Sequence, residues 1–335
     1  MENKTVKKPN INLVFGILTG LLLLVTVLSL FLGSATISPV DVISGLLGKA
    51  EHSTNVIVQN LRLPRTLAGI LAGVGLSVSG VLLQTVTDND LASPNIIGVN
   101  SGAGFMVILM LSVLPVSAFV LPFGAFLGAF GATVIIIFTS SKISSRKSTV
   151  ILSGVALTTI LNALISFITL LDTDVISTYN YFSIGGLSGV SLKNLYLPAV
   201  FIGLSLAVSV AFSGKISILC LGDSLATSLG INVKRLRIIC LVCASLSAAS
   251  VVSFAGLLGF VGLVVPHISR KLVGNNTKNL LICASLAGAA VVTFADTLGR
   301  TLLAPTEIPV GIIMALVGSP YFLYILLKHK ENGYA

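Results

Sequence analysis

The chain has 335 residues, of which 55% are hydrophobic and only 9% are Asp, Glu, Lys or Arg. A soluble domain carries about a quarter charged residues, so this composition excludes a water-exposed globular protein and indicates a membrane protein. The formal net charge of +9 does not indicate nucleic-acid binding, because the basic residues are scattered over short loops between apolar segments.

Apolar segments of about 20 residues, the length that crosses a bilayer, recur along the whole sequence. We therefore predict an all-α polytopic membrane protein in which residues 1–335 form a single transmembrane domain. The ten predicted membrane spans are 11–33, 64–84, 93–112, 116–139, 149–170, 194–212, 236–255, 257–269, 280–299 and 308–327. Pro115 and Pro266 mark the ends of the third and the eighth span, which are the least regular of the set.

The basic residues predict how these spans are oriented, since Lys and Arg accumulate in cytoplasmic loops. With both termini in the cytoplasm, 15 of the 20 basic side chains lie inside and 5 lie outside. The inside residues are Lys4, Lys7, Lys8, Lys142, Arg146, Lys147, Lys215, Lys234, Arg235, Arg237, Arg270, Lys271, Lys278, Lys328 and Lys330. The outside residues are Lys49, Arg62, Arg65, Lys193 and Arg300.

Three of the outside residues, Arg62, Arg65 and Arg300, lie at the outer mouths of two predicted spans. A structural interpretation is that their side chains reach the membrane interface and that Arg300 pairs with Asp296, four residues earlier on one helix. A functional interpretation is that the three arginines form a basic outer rim that receives an acidic partner. The residues alone leave both interpretations open.

The longest predicted cytoplasmic loop, about residues 213–237, contains the sequence LGDSLATSLGINVKRLR. Asp223 or Ser224 can cap a short helix in this loop, Gly230 can end that helix, and Asn232 can start the next span. A loop of this length with its own helix is usually functional; the alternative is an amphipathic helix that lies on the membrane surface.

The sequence lacks motifs for an energy source or a metal site. It has no phosphate-binding loop of the form G-x-x-x-x-G-K-[ST]. Most predicted spans contain no Asp or Glu, the residues that form proton relays in membranes. Cys240 and Cys243 have C-x-x-C spacing, but no second pair and no nearby His accompany them. We interpret these cysteines as small buried residues and predict no metal site in this chain.

Several stretches, taken in chain order, carry a family resemblance. They are LRLPRTLAGILAGVGLSVSGVLLQ, NDLASPNIIGVNSGAG, LGDSLATSLGI, GFVGLVVPHISRKLVG and DTLGRTLLAPTEIPVGIIMALVGSPYFLYILL. Together they resemble the FecCD-type permeases, the membrane subunits of ABC importers for ferric siderophores, haem and cobalamin. The resemblance extends over nearly the whole chain, and it is specific for the family but not for the substrate.

The resemblance implies a ten-helix subunit with a cobalamin-permease-like, type II ABC importer fold. It also implies the partners: a second permease subunit, identical or paralogous, two ATP-binding cassette subunits, and an extracytoplasmic substrate-binding protein or lipoprotein. Membrane lipid surrounds the assembly, and no nucleic acid takes part. This chain is expected to bind no cofactor, because ATP and Mg are used by the partner ATPase.

The resemblance further assigns roles to particular residues. It implies that Arg62, Arg65 and Arg300 dock the binding protein and that Asn89 and Leu91 form the cytoplasmic gate. The residues expected to couple to the ATPase, on short helices within about 213–235, are Leu221, Gly222, Asp223, Ala226, Leu229 and Gly230. One departure is visible, since Asp90 stands where the family pattern has a proline that stiffens the gate turn.

We therefore predict a permease subunit, not an enzyme, that moves an iron(III)-siderophore complex into the cytoplasm of a bacterial cell. The path is expected to be lined by the fifth and tenth spans and by the polar segment 172–191, which we interpret as a loop carrying a short helix. Haem and cobalamin are the alternative cargoes within the family. An ATP-independent secondary transporter is the alternative from another class.

Overall fold

The computed structural model of the protein describes residues 10–95, 97–114, 120–143 and 147–332, which are helical with short connecting turns and contain no strand. The α-helices of these ranges are α1 (Ile11–Phe31), α2 (Pro39–Leu46), α3 (His52–Asn55), α4 (Leu63–Thr87), α5 (Val99–Val113), α6 (Val120–Ile143), α7 (Lys147–Leu171), α8 (Ile176–Ile184), α9 (Leu192–Ala211), α10 (Ser213–Leu219), α11 (Asp223–Ser228), α12 (Val233–Ala255), α13 (Val261–Val273), α14 (Thr277–Thr301) and α15 (Val310–Asn332). A π-helical segment, Val56–Arg62, joins α3 to α4 without a break.

The predicted all-α membrane fold is confirmed. Among the described residues, 7 helices are long and apolar enough to cross a membrane, and Val99–Val113 and Val310–Ile325 are shorter apolar helices. Each predicted span corresponds to one helix, although several bounds differ. α13 continues through Pro266 to Val273, so Pro266 does not end it as predicted, and Pro115 lies outside the described residues. The span predicted from residue 93 begins at Val99, and the one predicted from residue 257 begins at Val261. Both late starts follow residues with positive φ, at Gly98 and Phe260, where the chain leaves the helical conformation.

The centre of the bundle consists of α4, α12 and α14. In the most apolar stretch of each of these helices, most residues are buried inside the chain: 78% in α4, 72% in α12 and 78% in α14. The corresponding share is 11% in α1 and 17% in α7. Helices that leave so much apolar surface uncovered face lipid or another protein. The order of burial therefore places α4, α12 and α14 inside and α1 and α7 at the periphery.

Glycines allow the central helices to approach closely. A Cβ atom on Gly73 of α4 would lie 2.1 Å from the carbonyl oxygen of Gly288 on α14, and one on Gly80 would lie 1.9 Å from the carbonyl oxygen of Gly262 on α13. Real Cβ atoms do not make such contacts, so these backbones touch only because the side chains are absent. Small residues play this role at membrane helix interfaces, where no hydrophobic force draws helices together.

Two non-helical stretches, residues 88–95 with 97–98 and residues 256–260, enter the bundle from opposite ends and meet inside it. The side-chain Nδ2 of Asn95 lies 3.6 Å from where a Cβ of Gly259 would be, and Pro94 lies against Gly262. Non-helical backbone at membrane depth must be covered by protein or must line a cavity. The two short helices α5 and α13 begin where these stretches end.

The bundle has two ends, which we name by their residues. The arginine end contains Arg62, Arg65 and Arg300, since α4 begins there and α14 ends there. The loop end contains α10 and α11, because Ser217 of α10 bonds to Thr277 at the start of α14, with the hydroxyl oxygens 2.8 Å apart. Lys4, Lys7, Lys8 and Arg146, which contribute to the predicted orientation, lie outside the described residues.

Candidate partner-binding, gate and path sites

Arg62 holds the end of α1 against the start of α4. Its Nη1 donates to the carbonyl oxygens of Leu30 at 2.9 Å and Phe31 at 2.8 Å, and its Nη2 donates to that of Ala35 at 2.6 Å. The last carbonyls of an α-helix have no partner within the helix, so this guanidinium satisfies groups that would otherwise be orphaned. The side chain is buried, and these bonds use three of its five N–H donors.

Arg65 binds two carboxylates. Its Nε donates to Oδ1 and Oδ2 of Asp296 at 3.1 Å and 2.9 Å, and its Nη1 donates to Oε2 of Glu307 at 2.6 Å. Charge-assisted bonds of this kind are the stronger hydrogen bonds of proteins. The side chain of Asp296 is only 2% exposed, whereas that of Glu307 is 30% exposed. Arg65 thus has a buried carboxylate on one side and a water-accessible one on the other.

Arg300 lies against the same carboxylate and against α1. Its Nη2 donates to the hydroxyl oxygen of Ser29 at 2.7 Å and to the Ser29 carbonyl oxygen, and its Nε lies 3.7 Å from Oδ2 of Asp296. The predicted pair between Asp296 and Arg300 is therefore confirmed. The hydroxyl of Ser29 also bonds to that of Thr66, 2.7 Å away, so α1, α4 and α14 share one polar network.

The three arginines are buried at the arginine end of the described structure. Arg62, Arg65 and Arg300 are 3%, 9% and 3% exposed, because their charges are compensated inside the chain. The carboxylates of Asp296 and Glu307 and the terminal carbonyls of α1 take the place that an acidic partner was expected to occupy. The docking role of the three arginines stays a prediction.

The loop end exposes an apolar ridge on α11. Leu221, Leu225 and Leu229 are 66%, 53% and 63% exposed. Leu225 lies in α11, Leu229 is the C-cap of that helix, and Leu221 comes directly before its N-cap, Gly222. Ala226 of the same helix is buried. Exposed leucines grouped around one short helix are typical of a surface that a protein partner covers.

The caps of α11 differ in part from the prediction. Gly230 follows the helix with φ +77°, as predicted for its end, and Asn232 caps α12 by accepting from the backbone N–H of Arg235 at 3.0 Å. Neither Asp223 nor Ser224 caps α11, whose N-cap is Gly222. The carboxylate of Asp223 binds Arg237 of α12 instead, with both Oδ atoms 3.0 Å from Nη2.

The predicted gate residues lie in a tight turn after α4. Asp88 ends the helix with φ +50°, the side chain of Asn89 accepts from the backbone N–H of Leu91 at 2.9 Å, and the Asn89 carbonyl accepts from Ala92 at 3.0 Å. An Asn side chain that binds its own backbone two residues on stabilises a turn without proline. Asn89 and Leu91 are both half-buried.

Asp90, which departs from the family pattern, faces α13. Its Oδ1 lies 3.7 Å from Nε of Arg270, whose Nη2 donates to Oε1 of Gln84 at 3.4 Å. The turn therefore borders a polar cavity of about 430 Å³ at the loop end. The cavity is lined by Gln84, Thr85, Asp88, Asn89, Asp90, Leu91, Cys220, His267, Arg270, Asn275 and Ile325.

A polar stripe lies on the outside of α7. Thr159, Asn162 and Ser166 are exposed near the middle of this helix, spaced three and four residues apart on one face. The exposed side chains in the middle of α6 and α9 are apolar instead, for example Val134 and Leu204. An amide facing lipid is costly, so the stripe marks the side of α7 that faces a partner or a water-filled path.

The other predicted path elements are present. The segment 172–191 carries the short helix α8, as predicted, and α15 follows the predicted tenth span. Cys240 and Cys243 are buried, as interpreted from the sequence, whereas Cys220 is exposed. Within the described ranges, no group of three or more His, Cys, Asp and Glu is placed to hold a metal ion.

Sequence reasoning missed Leu225 and Glu307. Leu225 completes the apolar ridge of α11, and the spacing of Leu221, Leu225 and Leu229 is a signal that would have found it. Glu307 binds Arg65 from 242 positions away, and nothing in the local sequence indicates that contact.

The fold and these sites define a class: a multi-pass helical membrane protein of the transport type, with a polar stripe on an outer helix and an apolar knob on a loop. The FecCD transport family model matches residues 21–328, and the chain belongs to this family.

Relatives match over full length. The Fe(3+)-citrate import system permease protein YfmE of Bacillus subtilis (strain 168) is 37% identical over 327 residues, which is 97% of this chain and 98% of the relative. The Fe(3+)-citrate import system permease protein YfmD of the same organism is 38% identical over 308 residues, 91% of each chain. A solved structure, described as a metal-chelate type ABC transporter in an inward-facing conformation, has a TM-score of 0.84 at 30% identity and covers 95% of this chain and 99% of that one.

Proposed function

We propose that this chain is the permease subunit of an ATP-driven importer that moves an iron(III)-siderophore complex across the membrane. Membership of the FecCD transport family and the similarity to two permease proteins of Fe(3+)-citrate import systems support this proposal. The single observation that carries it is the exposed Asn162 in the middle of α7, between neighbours whose exposed faces are apolar.

The stripe of Thr159, Asn162 and Ser166 lines one side of a path, and a second permease subunit, identical or paralogous, supplies the other side. Small hydroxyl and amide groups suit a bulky chelate whose outer atoms are oxygens, because they donate and accept without fixing the ligand by charge. Such a wall lets a complex pass and does not hold it tightly. α15 and the segment 172–191 complete the wall.

The energy for transport comes from two ATP-binding subunits, which use ATP and Mg. The ridge of Leu221, Leu225 and Leu229 enters a cleft on one of these subunits, and Gly222 and Gly230 at the ends of α11 let the knob adjust as the cleft closes. Asp223 and Ala226 fix the knob to the rest of the chain. This chain acts as a transport component and hydrolyses no ATP itself.

An extracytoplasmic substrate-binding protein delivers the chelate to the arginine end. Among the arginines there, Arg65 has the most accessible donor, because Nη1 contacts the partly exposed Glu307. Arg62 and Arg300 support the same surface by holding the end of α1 in place. An acidic residue of the binding protein then approaches Arg65 from the side of Glu307.

The turn that contains Asn89 and Leu91 forms the cytoplasmic gate. It borders the polar cavity at the loop end, and its Asx hydrogen bond gives it a fixed shape that can move as a unit. The chain resides in the bacterial cytoplasmic membrane, with the loop end and both termini in the cytoplasm. The excess of Lys and Arg in the loops of that side supports this orientation.

Uptake by cells that lack the gene tests the proposal. The cells are supplied with ⁵⁵Fe-labelled iron(III) citrate, a hydroxamate chelate, a catecholate chelate and haemin, and with labelled cobalamin. We expect uptake of one iron(III) chelate to be lost, to return with the gene, and to stop when ATP is depleted while the membrane potential is kept. Selective loss of haemin or cobalamin uptake identifies that compound as the cargo in place of an iron(III) siderophore. Uptake that persists without ATP favours a secondary transporter.

A further inference from the structure

The backbone bonds α11 to its neighbours in the chain: the N–H of Gly222 donates to the carbonyl of Leu219 at 3.2 Å, and the N–H of Ile231 donates to that of Ala226 at 3.0 Å. The helix has six residues, fewer than an isolated helix needs for stability. Gly222 precedes it with φ +115° and Gly230 follows it with φ +77°, and no atom lies within 4 Å of a Cβ built on either residue. Glycine at such angles is a permissive joint. Side-chain contacts must therefore set the position of α11 relative to the bundle.

A charged pair supplies the main polar contact between α11 and α12. The carboxylate of Asp223 lies with both oxygens 3.0 Å from Nη2 of Arg237, and the Arg237 side chain is only 7% exposed. The side chain of Asp223 is 47% exposed, so the pair is half-buried and salt screens it less than a fully exposed ion pair. Ala226, fully buried, adds an apolar contact on the same side of α11.

The far end of α12 is bonded to elements at the arginine end. The backbone N–H of Gly186 donates to the carbonyl of Ala255 at 2.9 Å, and the N–H of Leu257 donates to the carbonyl of Phe182 at 3.2 Å. The N–H of Gly311 then donates to the carbonyl of Gly185 at 3.1 Å. These bonds connect the end of α12 to α8 and to the first turn of α15.

We propose that Arg237 is a positioning residue that transmits the movement of α11 to α12, and through α12 to α8 and α15. This inference rests on the proposed function, in which α11 binds an ATP-binding subunit. A 23-residue helix that is pinned at both ends moves as a rigid body, so a displacement of its first turns reaches its last turn. Without the Arg237 contact, the glycine joints absorb the movement.

The test compares Arg237→Gln with Arg235→Gln, a matched change two residues earlier at an exposed position. Each tagged variant is expressed in cells lacking the gene, and the complex is purified from their membranes. Three quantities are measured: uptake of the chelate that the wild type transports in the panel above, the amount of ATP-binding subunit that co-purifies, and ATP hydrolysis by the complex. We expect Arg237→Gln to retain the ATP-binding subunit and its hydrolysis while uptake falls by about tenfold or more. Arg235→Gln is expected to match the wild type.

A second variant keeps the test decisive if Arg237→Gln folds poorly. Asp223 is 47% exposed, so Asp223→Asn removes the same contact with little disturbance of the core. We expect it to lower uptake in the same way, and the double variant to be no worse than either single one, as for two residues that act through one contact. The thermal unfolding temperature of each complex is recorded alongside.

Unchanged uptake relative to ATP hydrolysis in both single variants overturns the inference. Loss of the ATP-binding subunit from Arg237→Gln also overturns it, because Arg237 then shapes the docking surface itself. Failure of the proposed function is seen separately, in the wild type, as the absence of ATP-dependent uptake before any variant is compared.

Discussion

The Nη1 atom of Arg65 lies 2.6 Å from Oε2 of Glu307, a residue 242 positions further along the chain. The opposite side of the same guanidinium binds Asp296, which is buried. An incoming carboxylate that binds Nη1 of Arg65 therefore competes with Glu307. Glu307 thus competes, for binding to Arg65, with the acidic partner that the arginines are proposed to receive.

Replacing Glu307 with Gln is expected to strengthen binding of the substrate-binding protein. The change frees Nη1 of Arg65 and makes the arginine end more positive by one charge, which favours an acidic partner. The dissociation constant of the cognate binding protein for the purified complex is expected to fall by about 2- to 5-fold at low salt, in the range of exposed ion pairs. Glu51→Gln removes an exposed carboxylate from a neighbouring connection and serves as control. Weaker binding by the Glu307 variant contradicts the competitor role.

Replacing Leu225 with Asp is expected to abolish co-purification of the ATP-binding subunit. The substitution places a charge in the middle of the exposed leucine ridge, where a partner would have to bury it. Thr227→Asp adds the same charge about half a turn away on the same helix and is expected to retain the subunit. A tagged pull-down from membranes measures both, and equal retention argues against α11 as the docking knob.

Replacing Gly73 with Ala is expected to destabilise the bundle by about 1–3 kcal/mol, the usual cost of overpacking a core. The added methyl would overlap the Gly288 backbone, which can yield only if α4 and α14 separate. Gly16→Ala on α1 is the matched control, because no atom lies within 4 Å of its Cβ position. Thermal unfolding in detergent measures the difference, and similar unfolding temperatures for the two variants refute the contact.

Replacing Asn162 with Leu tests whether this position lines the path or faces lipid. On a lipid-facing surface the change is neutral or stabilising, since leucine is favoured in hydrocarbon. On a path it removes a hydrogen-bonding group, so we expect chelate uptake to fall severalfold while the unfolding temperature stays unchanged. Ile160→Leu, on an exposed part of the same helix, is the control. Normal uptake by the Asn162 variant contradicts the assignment of the polar stripe to the path.

Local sequence features predicted the helices well. Apolar segments near 20 residues long identified the 7 described helices that are long and apolar enough to cross a membrane. The glycine at position 230 and the asparagine at 232 correctly marked the end of α11 and the start of α12. These features act within a few residues of one another, so periodicity and capping rules apply directly.

Contacts between residues far apart in the chain could not be predicted from the sequence. Arg62 and Arg65 lie at the start of a span, a position typical of exposed interfacial arginines. Their burial depends on Asp296 and Glu307, which lie more than two hundred residues away, and on the carbonyls that end α1. No local rule predicts which carboxylate will meet which arginine.

The short helix α13 has a consequence for how the chain is made. Its 13 residues measure about 20 Å, less than the roughly 30 Å of hydrocarbon in a bilayer, and two cations, Arg270 and Lys271, lie in its last turn. A segment this short does not cross the bilayer by itself. The backbone of Gly262 on α13 packs directly against Gly80 of α4, so we expect α13 to take its place only after α4 is in the membrane.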